Sequence, residues 1–254
     1  MSKISLTVLS SKDYEYIWKY FAYFWFKYCN NLKIDKFFLT ASPNPTKIKG
    51  FTSLNAYPLN CNDSWSLRIR KALEGVKTEY ILLFTEDCIP FHEIDIKNFN
   101  LVLEFIFKNK IKYFNLSGHP RNYTLLKKNI YEVPKLSFHV VNLQPAIWER
   151  ESLIQCLNDN FNPKTFELEL SKNNRLGKIY LTNFKIIPYI EIIRKGKISK
   201  RGVNLILKYF PEDNLDNKKM NFFENLNYKY SILKDFSFSL MPKFIKISLI
   251  KSKK

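Results

Sequence analysis

The run Tyr80-Ile81-Leu82-Leu83-Phe84-Thr85 passes straight into Glu86-Asp87, and this junction constrains the chain more than any other feature. A continuous apolar run of that length predicts a strand buried on both faces, as in parallel sheets covered by helices. Two adjacent carboxylates at the end of such a strand are costly to desolvate unless a cation joins them. A divalent metal bridging two phosphates of a nucleotide would supply that charge.

The neighbouring segments repeat the pattern. Ile4-Ser5-Leu6-Thr7-Val8-Leu9 alternates and closes on Ser10-Ser11, which predicts a first strand and a turn. Asp13 is expected to cap a helix running to about Asn30. Lys36-Phe37-Phe38-Leu39-Thr40 reads as a second strand, followed by a loop and a helix from about Ser64 to Val76. Residues 95–109 read as a helix, and Tyr113-Phe114-Asn115-Leu116-Ser117 as a strand. Strand and helix alternating over the first 120 residues predict an α/β, Rossmann-like fold with a mainly parallel central sheet flanked by helices. Ligands of such sheets lie beyond the carboxyl ends of the strands, where Glu86 and Asp87 stand. Further on, residues 140–143 read as a strand, 149–161 as a helix, and 179–181 and 186–190 as short strands. No GxGxxG occurs, so a dinucleotide site is not expected.

A hydrophobic fraction of 46% over 254 residues supports a sizeable core, and no Gly/Ser-rich linker interrupts it. One catalytic domain is expected over 1–205, with a nucleotide-binding half at 1–120 and an acceptor half at 121–205. Residues 206–254 form a basic C-terminal extension. The net charge of +18 calls for an anionic partner, although only seven of the 41 basic residues are Arg. Residues 185–254 hold 16 Lys/Arg against 6 Asp/Glu, so +10 of that charge lies there. Within it, Phe236, Phe238, Leu240, Met241, Phe244 and Ile245 alternate with Lys243, Lys246 and Lys251, a mixture suited to an anionic membrane surface.

Cys29, Cys61, Cys88 and Cys156 show no CxxC spacing, so they are expected to be buried apolar thiols in a reducing compartment. The N-terminal apolar stretch is too short for a signal peptide. Residues 14–29 are densely aromatic, but Lys19 and Lys27 interrupt them and the run is short of the ~20 residues a span needs.

Three stretches carry a family resemblance. Trp65-Ser66-Leu67-Arg68-Ile69-Arg70-Lys71-Ala72-Leu73, then Lys77-Thr78-Glu79-Tyr80 through Asp87, resembles the family 2-like bacterial GT-A glycosyltransferases of polysaccharide and lipopolysaccharide clusters. There a W-x-x-R-x-x-x-A-L helix precedes a T-x-Y-[IVL]-L-L-x-x-E-D strand. Asn142-Leu143-Gln144-Pro145-Ala146-Ile147-Trp148 and the following Asn162-Pro163-Lys164-Thr165-Phe166-Glu167 resemble a Q-x-A-I-W segment and an N-P-W-E-F-E segment, with Lys164 and Thr165 in place of Trp and Glu. Residues 189–199 resemble a late segment with a G-K pair.

This resemblance implies a GT-A fold and a nucleotide-sugar donor, with a Mg²⁺ or Mn²⁺ held where Glu86-Asp87 replaces a literal DxD. It implies Glu167 as the base that deprotonates the acceptor hydroxyl, with Glu169 as the alternative. Ser10, Ser11, Asp63 and Arg68 would meet the nucleotide, and Arg194 and Lys197 the diphosphate. Gln144, Trp148, His119 and Arg121 would line the acceptor side, Trp148 by stacking on a sugar ring. The implied activity is inverting sugar transfer to a glycan or lipid-linked acceptor in bacterial cell-surface polysaccharide synthesis, on the cytoplasmic face of the membrane. A nucleic-acid-binding protein is the rival reading of the charge and aromatics, but no RNP, zinc-finger or helix-turn-helix pattern occurs and specific nucleic acid is not expected. A non-catalytic glycosyltransferase-like module is the third reading.

Overall fold

The computed structural model describes residues 2–40, 44–55, 64–118, 123–127, 129–133, 140–157, 160–182, 186–216, 218–228 and 230. Two compact units divide the chain, Met1–Ile190 and Glu191–Lys254.

In chain order the first unit holds β1 (Ile4–Ser10), α1 (Trp18–Tyr28), β2 (Lys36–Thr40), β3 (Thr52–Asn55), α2 (Trp65–Leu73), β4 (Tyr80–Thr85) and β5 (Cys88–Pro90). It continues with α3 (Ile96–Asn109), β6 (Tyr113–Asn115), β7 (Thr124–Lys127), β8 (Ile130–Glu132), β9 (Ala146–Glu149), α4 (Arg150–Cys156), α5 (Pro163–Lys172), β10 (Tyr180–Thr182) and β11 (Tyr189–Glu191). The second unit holds β12 (Ile193–Arg194), β13 (Lys197–Ile198) and α6 (Lys200–Tyr209).

Among the described residues nine strands form one sheet, in the order β3-β2-β1-β4-β9-β6-β10-β8-β7. The pairs β3–β2, β2–β1, β1–β4 and β6–β10 are parallel, whereas β9 and β8 run against their neighbours. The expected α/β class with a mainly parallel sheet between helices is thus what the chain adopts. β3, β5, β9, β12, β13 and the β7–β8 hairpin add strands that the sequence did not announce.

Alternation along β4 shows why this strand had to be apolar throughout. Tyr80, Leu82 and Phe84 enter one core with Trp18, Phe21, Trp25, Phe99 and Ile106, on the α1–α3 face. Ile81 and Leu83 enter the other with Ile69, Leu73, Leu153, Phe166 and Leu170, on the α2–α4–α5 face. The inward face of the aromatic run is therefore core, with Tyr23 and Phe26 exposed on its other face: Trp18 stacks on Phe38 at 4.8 Å, and Phe21 and Trp25 meet Phe84 edge-on at 5.9 and 5.7 Å. Among the described residues no helix is long and apolar enough to cross a membrane.

Cys29, Cys88 and Cys156 are buried free thiols, and burial pushes Cys29 up to about 12 and Cys156 up to about 11.

Three local expectations are corrected. Asp13 caps nothing, because residues 12–17 form a 3₁₀ turn and the α-helix starts only at Trp18. Residues 149–161 are not one helix: Glu149 ends β9 opposite Tyr80, its N–H held by Lys112 O at 2.9 Å, and α4 stops at Cys156. Residues 140–143 are not a strand, for a reason that belongs to the site.

Candidate functional site at the carboxyl edge of the sheet

Parallel pairing of β1 with β4 sets Leu9 beside Thr85, so Ser10-Ser11 and Glu86-Asp87 leave the sheet at the same edge. Glu86 N–H donates to Leu9 O at 3.2 Å, and Ser11 N–H donates to Glu86 Oε1 at 3.4 Å. The indole N–H of Trp18 donates to Ser10 Oγ, which fixes that hydroxyl. Glu86 is only 6% exposed, whereas Asp87 beside it is half-buried. Burial, then repulsion from Asp87, lifts the Glu86 carboxyl to about 8, against the pull of the Glu86 and Ser11 N–H groups. Tyr14 stands by the same pair: burial raises its phenol, and the charges of Glu86, Asp87 and Asp13 raise it further.

That shift yields an expected pH dependence. The folded-state value lies above the ordinary 4.5, so the folded metal-free protein keeps a proton that the unfolded chain releases. Stability is then full below about 4.5, declines as pH rises, and levels off above about 8. Thermal melts in chelator should show this decline in the wild type and a flatter profile in Glu86→Gln. Parallel profiles for the two proteins would contradict the buried proton.

The loop of residues 140–145 reaches the same edge, because β9 runs antiparallel to β4 and begins with Ala146 opposite Leu83. Side chains satisfy most of its backbone, and only Pro145 O takes a main-chain partner among the contacts described, the Leu116 N–H at 3.0 Å. Val140 O accepts from Tyr113 Oη at 3.2 Å and from Asn115 Nδ2 at 3.0 Å. Asn142 N–H donates to Tyr113 Oη at 3.3 Å, and Leu143 N–H to Glu167 Oε1 at 2.7 Å. Tyr189 Oη donates to Gln144 Oε1 at 2.9 Å. The loop is braced from β6, α5 and β11 at once, which is why it does not pair as a strand.

Glu167 owes its position to α5. Asn162 and Thr165 form a capping box with Pro163 in the first turn, and Phe166 is buried against Trp65 (5.6 Å) and Trp148 (6.1 Å). The half-buried Glu167 next to Phe166 meets the 140–145 loop. Glu169 pairs instead with Lys172 at 3.1 Å, both partly exposed.

Ser11 Oγ, Arg68 Nε and Asn142 Oδ1 are buried atoms without a hydrogen-bond partner among the described residues. Thr7, Trp25, Trp148 and Thr182 hold such atoms too, so orphaned polar atoms alone do not mark the site. Ser11 and Asn142 are set apart by sharing the edge that carries Glu86 and Asp87.

The structure brings Ser10, Ser11, Glu86, Asp87, Gln144 and Glu167 to this edge, and places Arg68 one turn into α2. Asp63, His119 and Arg121 lie outside the described residues. Arg194 and Lys197 belong to the second unit, where Arg194 pairs with Glu191 at 2.6 Å and Lys197 with Glu224 at 2.7 Å. Trp148 is corrected from sugar platform to core: it is 0% exposed and packs on Tyr113 at 4.4 Å. Trp148→Ala should therefore cost about 3–5 kcal/mol, a melting-temperature drop of roughly 10 °C. A melt unchanged by this substitution would put Trp148 outside the core. Tyr14, Asn115, Asn142 and Tyr189 join the edge without having been singled out by sequence. For Asn115 a signal existed, a polar residue closing the apolar run Tyr113-Phe114.

No family model and no curated protein matches the sequence. Solved structures that match include Staphylococcus aureus TarS in complex with UDP-GlcNAc, at 13% identity and a TM-score of 0.48, covering 78% of this chain and 60% of that one. A further S. aureus TarS structure matches at 15% identity and TM-score 0.48, over 74% of this chain and 36% of that one. A cytidylyltransferase from Leptospira borgpetersenii matches at 13% identity and TM-score 0.43, over 87% of this chain and 100% of that one. The chain spans between 36% and 60% of the length of the TarS structures.

Proposed function

We propose that the chain is a nucleotide-sugar-dependent glycosyltransferase with a GT-A-like fold, transferring a hexosyl-type sugar with inversion to a glycan or lipid-linked acceptor. One observation carries this reading: an acidic pair stands at the carboxyl end of the central buried strand, hydrogen-bonded to the turn after the adjacent parallel strand.

The residues present fit a hard divalent cation. Among the described residues no group of three or more His, Cys, Asp or Glu could hold a metal by itself. Mg²⁺ and similar ions bound through one or two carboxylates, with substrate phosphates and water as the other ligands, need no such cage. Asp87 is the residue to hold the ion, and Glu86 braces the turn behind it. When bound, Mg²⁺ or Mn²⁺ supplies positive charge beside the departing diphosphate.

The chain's own groups account for the rest. Ser11 and Tyr14 flank the acidic pair on the nucleotide side, and Arg68 adds a guanidinium from α2. Gln144 and Asn142 offer polar atoms on the acceptor side. Glu167, held by the Leu143 N–H, receives the proton of the acceptor hydroxyl as that oxygen attacks the anomeric carbon. Among the described aromatic residues, Trp18, Phe21, Trp25, Trp148 and Phe166 are buried in the core and not open to bases, which weakens that rival. The acceptors belong to cell-surface polysaccharide synthesis, such as capsule, O-antigen or lipooligosaccharide, met at the anionic inner face of the membrane.

The test is calorimetric titration of UDP, GDP, CMP and dTDP, with and without Mn²⁺, into the wild type and Asp87→Ala. Metal-dependent binding of one nucleotide that the variant loses supports the donor site. Failure of all four to bind removes it.

A further inference from the structure

The second unit contains a helical segment that is amphipathic the wrong way round. Residues 222–228 are helical, and residue 230 is again helical. Asn221 caps this helix: its Oδ1 accepts from Glu224 N–H at 2.9 Å, and Glu224 Oε2 accepts from Asn221 N–H at 2.8 Å. Phe222, Phe223, Leu226 and Tyr230 are 75%, 72%, 54% and 69% exposed. At 3.6 residues per turn these four side chains fall within about 100° of arc. The opposite arc carries Glu224, Asn225 and Tyr228, and these hold the helix to its own unit. Glu224 takes a 2.7 Å ion pair from Lys197, Asn225 Oδ1 accepts from Lys200 N–H at 2.8 Å, and Tyr228 receives Arg194 over its ring at 5.3 Å.

A surface helix ordinarily turns its apolar stripe inward and its polar face to water. Here the polar face is glued down by named contacts and the aromatic stripe is left outside. Adjacent exposed phenylalanines, with rings 5.7 Å apart, are not needed to hold the fold. A clustered apolar patch of this kind marks a contact with something else.

Charge selects the partner. Residues 191–254 hold 15 Lys/Arg against 6 Asp/Glu, a net +9 for the unit. A second copy would bring the same charge and be repelled, whereas an anionic bilayer attracts it. We propose that Phe222, Phe223, Leu226 and Tyr230 insert into the headgroup–acyl boundary of an anionic membrane, with the unit's lysines on the lipid phosphates. This deepens the membrane contact proposed above by naming its surface, on residues upstream of the 236–254 segment, which lies outside the described residues. It does not depend on the donor site.

The test is flotation of the full chain, without nucleotide, on phosphatidylcholine vesicles with and without phosphatidylglycerol. Wild type should float with the anionic vesicles, and Phe222→Ser/Phe223→Ser/Leu226→Ser should lose on the order of tenfold in partitioning. The three positions are exposed, so the melting curve should be retained, and it is measured alongside. Independently, Phe223→Trp should be quenched more than wild type by vesicles with brominated acyl chains. Equal flotation of wild type and triple variant, with no extra quenching, overturns the proposal. So does a concentration-dependent dimer in sedimentation velocity that the triple variant loses, which would assign the face to a second copy. Nucleotide binding is read in solution without vesicles, so failure of the donor reading and failure of this one are separable.

Discussion

Asp87→Asn should lower the rate of sugar transfer by about 10²–10³-fold, the scale for losing one charge-stabilising group in a preorganised site. The two carboxylates differ in burial, and so in what each can meet. Glu86 is buried, spends Oε1 on the Ser11 N–H, and is held mainly neutral by burial, so it braces the edge. Asp87, half-buried at the mouth, is the member of the pair able to meet a cation and a diphosphate. The substitution should not unfold the protein. Asp87 is the second cause of the raised Glu86 carboxyl, after burial, so neutralising it eases a strain in the folded state. A melting temperature equal to or slightly above wild type is expected, together with loss of metal-dependent nucleotide binding. Wild-type transfer by Asp87→Asn, with the donor that calorimetry identifies, would sink the assignment.

Much of this edge is legible in the amino-acid sequence. A strand buried on both faces has to be apolar throughout, so β4 announced itself, and the carboxylates after it followed from the direction of a parallel sheet. β1, β2 and α3 were legible for the same reason, since each carries its own period and faces a core. The loop of residues 140–145 was not. Residues 140–143 are as apolar as a strand, and what keeps them irregular is side chains distant in sequence: Tyr113, Asn115, Glu167 and Ser171. No local pattern encodes that bracing. Trp148 misled for a related reason. A tryptophan beside a glutamine looks the same in sequence whether its ring meets a sugar or Tyr113 and Phe166, and only the sheet order turns it inward. The helix after Asn221 was not legible because residues 222–228 make only about two turns, too few to establish a period, and the stripe they carry turns outward. Amphipathic reasoning reports a stripe but not which way it turns.

Glu167→Gln separates the two things Glu167 can do, and it should lower kcat by about 10²–10⁴-fold, the range for a general base. The amide keeps an oxygen where Glu167 Oε1 now accepts the Leu143 N–H, so the brace on the 140–145 loop survives. What it cannot do is take a proton. The acid limb of the pH profile should therefore disappear with kcat while KM for the donor and the melting temperature stay near wild type. Glu167→Ala removes both roles, leaving the Leu143 N–H unpaired at a cost of about 1–3 kcal/mol, so it should lose stability as well as rate. Glu169→Gln supplies the contrast. Its carboxylate pairs with Lys172 in a partly exposed i,i+3 contact, which is worth little, and near-wild-type behaviour is expected. If Glu167→Gln retains kcat and the acid limb while Glu167→Ala only melts earlier, Glu167 is a brace and the proton goes elsewhere. If Glu169→Gln is the variant that loses the limb, the base is one face further round α5, and the acceptor must approach from the Lys172 side.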